Sequence, residues 1–134
     1  MRFLSIYKTA ETDRPPTMEE VSRMGNLIEE WTKAGSLLGT EGCLPSAKGA
    51  RVRRSGGKIT VTDGPFVETK EVVGGFALLQ AKSREEAIEL VKSFLQVAAD
   101  GECELRQLYG PSDDGAEFKA EHTEAELRTQ WEAS

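Results

Sequence analysis

Two cysteines, one histidine and no long apolar run in 134 residues exclude several functions before any motif is read. Cys43 and Cys103 form no CxxC pair, and two separated thiols in an intracellular chain read as reduced and structural. Cys43 follows Gly42 in a glycine-rich stretch, so a reactive thiol is the alternative there. The one histidine, His122, lies in an acidic segment, and nothing resembles a thiolate or imidazole cluster. Neither a metal site nor a cofactor is therefore expected. No apolar stretch approaches the roughly 18–20 residues that cross a bilayer, so no membrane role is expected. The opening residues 1–8 alternate and are too short for the apolar core of a secretion signal, which makes the cytoplasm the expected compartment. Excess positive charge is missing as well. A chain of net charge −6 lacks the electrostatic footprint of a nucleic-acid binder, and its basic stretch has no interleaved aromatics.

What is present describes an ordinary globular chain. Hydrophobic residues at 38% and charged residues at 30% are the proportions of a folded domain rather than a disordered one. The length suits one domain with its own core and no staples. The charge is unevenly spread. Residues 111–134 carry seven acids against Lys119 and Arg128, a net −5, and the other 110 residues carry only −1. Between Gly42 and Thr62 the balance reverses, with Lys48, Arg51, Arg53, Arg54 and Lys58 and no acid among them. Such a run reads as a solvated face or as an anion-binding one. The two segments also invite contact with each other, with Trp131 as an apolar anchor; the alternative is a free tail.

Periodicity then orders the chain. Residues 2–8 put apolar groups on both faces, as a central strand requires. Pro15-Pro16 delays any helix, and Thr17-Met18-Glu19-Glu20 forms a capping box. Val21, Met24, Ile28 and Trp31 follow on one helical face, and Gly35 supplies the C-terminal stop. Residues 36–47 read as a strand interrupted by Gly39 and Gly42. Residues 49–54 and 58–62 read as a hairpin turned by Gly56-Gly57. Residues 74–82 form a strand with Phe76 and Leu78 on one face and Ala77 and Leu79 on the other. Ser83-Arg84-Glu85-Glu86 opens a second capped helix with the stripe Ala87, Ile88, Val91, Phe94 and Leu95, and residues 102–109 form the last strand. Two β-α-β units with an inserted hairpin predict an α+β, ferredoxin-like sandwich. Helices on one face would leave apolar groups on the other, and a second copy packed sheet to sheet is the plain solution. Residues 111–122 read as a connector, and 123–132 as a short helix carrying Leu127 and Trp131.

The most distinctive stretch runs from Val61 to Phe76. Asp63-Gly64-Pro65-Phe66 is a turn in which Asp63 reads either as an acceptor for its own backbone or as a ligand-facing carboxylate. Phe66 is expected to plug an apolar site, with Gly64 and Pro65 shaping the approach. Glu68 and Lys70 are expected to pair and order the loop. Glu41, in the Gly39-Thr40-Glu41-Gly42 turn, is a second candidate carboxylate, exposed or paired in its bland reading. Arg51 or Arg53 could fix an anion bidentately or simply face solvent. Arg106 beside Glu104 reads as an internal or interface ion pair.

This stretch resembles the YCII-related family, in the branch named for Asp63-Gly64-Pro65-Phe66. The similarity covers roughly residues 1–110 and extends to Gly39-Thr40-Glu41-Gly42, Leu44-Pro45, Gly56-Gly57-Lys58, Gly74-Gly75-Phe76, Ser83 with Glu86-Ala87, and Glu104-Leu105-Arg106-Gln107. Residues 111–134 lie outside it. The resemblance implies a dimeric α+β barrel, a homodimer of ferredoxin-like units. Some relatives are thought to use a histidine–aspartate pair, but this chain offers Thr17, Met18 and Glu19 where that histidine would lie, so the mechanism does not transfer. Some relatives resemble partners of alternative sigma factors, which implies a regulatory protein partner.

Two functional readings follow. One is a module that binds a small molecule, accessory or regulatory, with its pocket at the Asp63–Phe66 turn and with Gly64, Pro65, Phe66, Glu68, Lys70 and Arg53 around the ligand. The motivation is the lack of a nucleophile–base arrangement, metal cluster or phosphate loop beside so specific a turn. The other is a cofactor-independent enzyme acting on a small anionic or aromatic metabolite, with Asp63 or Glu41 as acid/base.

Overall fold

The computed structural model describes residues 1–12 and 14–110. The expected connector at 111–122, the short helix at 123–132, and the contact of that tail with the hairpin lie outside the described residues.

Strand β1 (Arg2–Thr9) opens the fold and is followed by helix α1 (Met18–Lys33). The capping box works as expected at its N-terminus: Thr17 extends and its hydroxyl accepts from the Glu20 N–H at 3.1 Å. Gly35, at φ +76°, closes the other end. Strand β2 (Leu37–Gly42) is shorter than its sequence suggests. The chain leaves the sheet at Gly42 and makes a short 3-10 turn at Ser46–Lys48. Strands β3 (Ala50–Ser55) and β4 (Lys58–Asp63) form the hairpin, turned by Gly56 and Gly57, both at positive φ. That pair of angles matches the twist of the flanking strands and is open to glycine at little cost. Strand β5 (Val72–Gln80) begins two residues before the expected start, helix α2 (Arg84–Val97) is capped by Ser83 accepting from the Glu86 N–H at 3.1 Å, and strand β6 (Glu102–Gln107) ends the described core.

The strand order is β2-β5-β1-β6, all neighbours antiparallel, with β3–β4 as a separate ribbon. Ignoring the ribbon, this is the ferredoxin-like arrangement, and the expected fold class holds. Phe3 and Leu79 pair across β1 and β5 and are 1% exposed, and Leu37, Ala81 and Ala87 complete the buried cluster. Trp31 from α1 and Leu90 and Val91 from α2 pack against it, so both helices cover the same face. Tyr7 continues that face, meeting Phe94 edge-on at 5.2 Å and donating to the Ala99 carbonyl. Alternation sends Leu4, Ile6, Leu78 and Phe76 to the opposite face, which neither α1 nor α2 covers.

Backbone closeness, rather than turn geometry, explains several glycines. A Cβ at Gly75 would come within 2.7 Å of the Glu41 carbonyl oxygen across the β2–β5 pair, and one at Gly64 would overlap the Ser46 carbonyl oxygen outright. Gly25, on the exposed side of α1, has nothing within 4 Å of its would-be Cβ. Gly64→Ala is therefore expected to lower stability by about 1–3 kcal/mol through overpacking, whereas Gly25→Ala should raise it by about 0.5–1 kcal/mol through helix propensity. Denaturant unfolding of both variants measures the contrast. Equal effects would mean that the loop around Gly64 moves aside freely.

Candidate functional site

One end of the sheet carries a half-open cleft of about 670 Å³, bounded by the end of β1, the start of β5, the Cys43–Gly49 segment, β3 and the loop after β4. Its construction begins with a bulge. Tyr7 pairs with Gly75 but Lys8 pairs with Val73, so the register skips Gly74. A bulge re-aims the side chains beyond it, and here it brings Lys8 and Val73 side by side at the cleft. Cys43 holds the opposite wall by donating its N–H to the Gly74 carbonyl at 2.9 Å. Gly101 backs β1 closely, since a Cβ there would meet the Tyr7 ring at 2.8 Å.

Ser46 organises the roof. It is 8% exposed, and both its N–H and its hydroxyl donate to the carboxylate of Glu11, the hydroxyl at 2.8 Å. The same hydroxyl accepts from the Phe66 N–H at 3.0 Å, and the Ser46 carbonyl accepts from Gly49 at 2.9 Å. Gly64 closes the arrangement by donating to the Gly49 carbonyl at 3.0 Å. Three distant segments thus meet on one serine. The two donors at Ser46 hold the Glu11 carboxyl below the usual carboxylate range.

The walls divide by chemistry. Leu44, Pro45, Phe66, Val72 and Val73 supply an apolar lining, with Cys43 beside them. Among the described residues, Lys8, Lys48 and Arg51 supply positive charge to the lining against one acid, Glu71. Lys8 donates to Glu104 at 3.0 Å, and that bond and charge raise its pKa above the ordinary lysine value. Glu104 also accepts from Arg106 at 3.3 Å; these partners, Lys8 foremost, hold its carboxyl low. The Arg51 guanidinium lies 3.8 Å over the Phe66 ring and donates to Glu68. Glu68 is held low by its own backbone N–H first and by Arg51 second. Stacking and pairing together fix Arg51 in one pose at the cleft wall.

Against the sequence expectations, the geometry is mixed. Phe66 lines the cleft, and Gly64 and Pro65, joined by a cis peptide, carry the chain to it. Glu68 borders the site through Arg51, so the expected Glu68–Lys70 pair is replaced by Arg51–Glu68 across the hairpin root. The turn at Val67–Glu68 sets Glu68 beside Arg51 of β3, whereas Lys70 lies beyond that turn. Lys70 and Arg53 do not line the cleft. Asp63 ends β4, exposed, and its carboxylate accepts no hydrogen bond from the described residues, so the backbone-capped turn expected of it does not form. Glu41 lies on β2 in register with Phe76, away from the cleft lining. Lys48 lines the cleft as one member of the basic run read as a possible anion-binding face, whereas Lys8, Glu11 and Ser46 were not singled out by sequence. Lys8 had a legible signal, as the charged residue that follows the apolar pair Ile6-Tyr7 near the end of β1. Glu11 and Ser46 are separated by 35 positions and had none. The remaining thiol, Cys103, is part-buried in β6, and burial pushes its pKa up.

Among the described residues no group of three or more metal-ligating side chains occurs, and no helix is long and apolar enough to cross a membrane.

The Glu11–Ser46 contact has a pH signature. Glu11 has a lower pKa folded than unfolded, so the unfolded chain binds more protons in the interval between the two values. Its contribution is fully present above the unfolded carboxylate value and is lost as pH falls through the folded one. Glu11→Gln is expected to melt below the wild type above about pH 5 and to converge with it in acid. Melting curves across pH 2–7 (about that span brackets both values) test this, and a constant gap at all pH would remove Glu11 ionisation as the cause.

Comparison with known proteins follows the same boundaries. The profile of the YCII-related domain matches residues 1–110. An uncharacterized protein of Rhizobium meliloti (strain 1021) is 33% identical over 87 residues, covering 63% of this chain and 70% of that protein.

Proposed function

The chain belongs to the YCII-related domain family, and from that premise we propose that it is a small-molecule-binding module, accessory or regulatory in role, whose ligand is a small organic anion. The observation that carries this reading is the composition of the cleft: an apolar lining closed by Lys8, Lys48 and Arg51, with Glu71 as the one acid. Concave, largely apolar sites with a few placed polar groups are where small ligands bind. Arg51 is pre-oriented by Phe66 and by its bond to Glu68, which leaves its remaining N–H donors for a ligand carboxylate with little further ordering. An acid with a short hydrophobic body matches both halves of the lining.

A second reading, a cofactor-independent enzyme with Asp63 as acid/base, is supported by one feature. The Asp63 carboxylate is free of side-chain and backbone partners among the described residues and sits next to the turn that bears Phe66. It stands outside the cleft lining, and the binding reading is preferred for that reason.

A thermal-shift panel of small aliphatic and aromatic carboxylic acids separates these readings. A ligand at about 100 times its Kd raises stability by roughly 2.7 kcal/mol, a shift of several degrees for this length. Arg51→Ala and Lys8→Met should each weaken a hit by roughly tenfold or more, the worth of one charge-assisted hydrogen bond, while Asp63→Asn leaves it intact and no product forms. Turnover abolished in Asp63→Asn would favour the enzyme. Binding that ignores Arg51 and Lys8 would remove the cleft from the account.

We further assign the working unit as a homodimer through the uncovered sheet face. Leu4, Ile6, Leu78 and the 41% exposed Phe76 form its apolar centre, rimmed by Lys8, Glu104 and Arg106. A face of this kind is stable in water when a copy covers it. Phe76→Glu is expected to give a monomer in sedimentation equilibrium where the wild type is a dimer; an unchanged mass would place any association elsewhere.

A further inference from the structure

The β3–β4 hairpin is the least supported part of the fold. Every residue of both strands is exposed, and a two-stranded ribbon alone is marginal in water. Val52 pairs with Val61, and Ile59 lies opposite Arg54 two positions along, so Val52, Val61 and Ile59 share one face with Arg54. The three apolar side chains are 69%, 64% and 65% exposed. Arg53 and Lys58 lie on the opposite face of the ribbon, and Lys48 stands at its root. None of Lys48, Arg53, Arg54 and Lys58 has a carboxylate partner among the described residues. An exposed apolar strip that carries Arg54, on a ribbon whose other cations are also without carboxylate partners among the described residues, is a surface suited to an acidic, part-apolar cover.

We propose that residues 111–134 of the same chain cover it. Charge is the first argument. This segment carries net −5 in a chain whose remainder carries −1, and its acids Glu121, Glu124, Glu126 and Glu132 are interleaved with Phe118, Leu127 and Trp131. Apolar groups set among carboxylates are the complement of apolar groups set among guanidiniums. Reach is the second. The segment starts after Gly110, beyond the end of β6, which lies beside the start of β1, whereas the hairpin springs from the other end of the sheet. Crossing the length of β1 takes about 26 Å at 3.3 Å per residue, and the 24 residues after Gly110 span up to about 80 Å when extended. The competing occupant is a second copy of the hairpin. A second copy of the hairpin would bring more cations and, between Gly49 and Thr62, no acid, so the charges of both copies would stay unpaired.

Amide hydrogen exchange on the full-length chain reads this contact directly. At low salt, peptides from the hairpin and from the region around Trp131 are expected to be protected together, to the same degree at all protein concentrations. Trp131→Ala, or the double variant Arg53→Glu with Arg54→Glu, should lower protection in both regions by roughly tenfold or more, the loss of a buried aromatic or of several charge pairs. High salt should do the same, since exposed charges are screened beyond about 10 Å at 0.1 M. Adding Glu124→Arg and Glu126→Arg to the hairpin double variant should restore protection, an outcome that a merely unfolded hairpin would not give. Residues 111–134 exchanging as a free peptide at low salt would overturn the proposal. So would hairpin protection that survives Trp131→Ala and falls on dilution, which would identify a second copy as the occupant.

Discussion

The hydrogen bonds around Ser46 tie together stretches of chain that have no reason to meet from sequence alone. Glu11 reaches it from beyond the end of β1, Phe66 from the loop after β4, and Gly49 from the root of the hairpin. Each partner satisfies a group that would otherwise be buried without one, and an unsatisfied buried polar group costs more than a made bond contributes. The Gly64 backbone presses against the Ser46 carbonyl so closely that no side chain fits between them. The position of the hairpin root, the pose of Phe66 and hence one wall of the cleft all follow from this node. The turn at Asp63–Phe66 is thus a piece of construction first. Its chemistry lies in what it holds in place.

The sheet contributes the other half of the site through an irregularity. The bulge opposite Gly74 brings Lys8 and Val73 together at the cleft, where regular pairing would have set Lys8 opposite Gly74. Lys8 also belongs to the chain of charges with Glu104 and Arg106 that rims the uncovered sheet face. A single side chain therefore borders both the cleft and the face assigned to a second copy. Under the two proposals, association and ligand occupancy would both involve that residue and its bond to Glu104.

The separation between framework and candidate site is instructive about carboxylates. Asp63 and Glu41 drew attention because each stands in a glycine-rich stretch near a strand end, yet both are exposed and neither lines the cleft. Among the described residues, the carboxylates with displaced pKa values are Glu11, Glu68 and Glu104, and each owes its displacement to specific donors rather than to burial. They order the walls. Lys8 and Arg51 line the space, and the anion-binding proposal rests on that arrangement.

What the sequence by itself determined is local: two capped helices, the Gly56-Gly57 hairpin, the alternation that separates Leu79 from Leu78, and the order of elements that leads to a ferredoxin-like sheet. These rest on contacts within a few residues or on a period, and both are written along the chain. The family resemblance was legible for the same reason, as a long unbroken run of turn and strand residues. Only the tertiary structure decided that Glu11 meets Ser46, that Arg51 rather than Lys70 takes Glu68, and that Lys8 rather than Asp63 lines the cleft. Those pairings join residues 17 to 35 positions apart, or depend on one skipped residue in a strand register. No periodicity encodes such a meeting; it follows from how the segments pack once the sheet has formed.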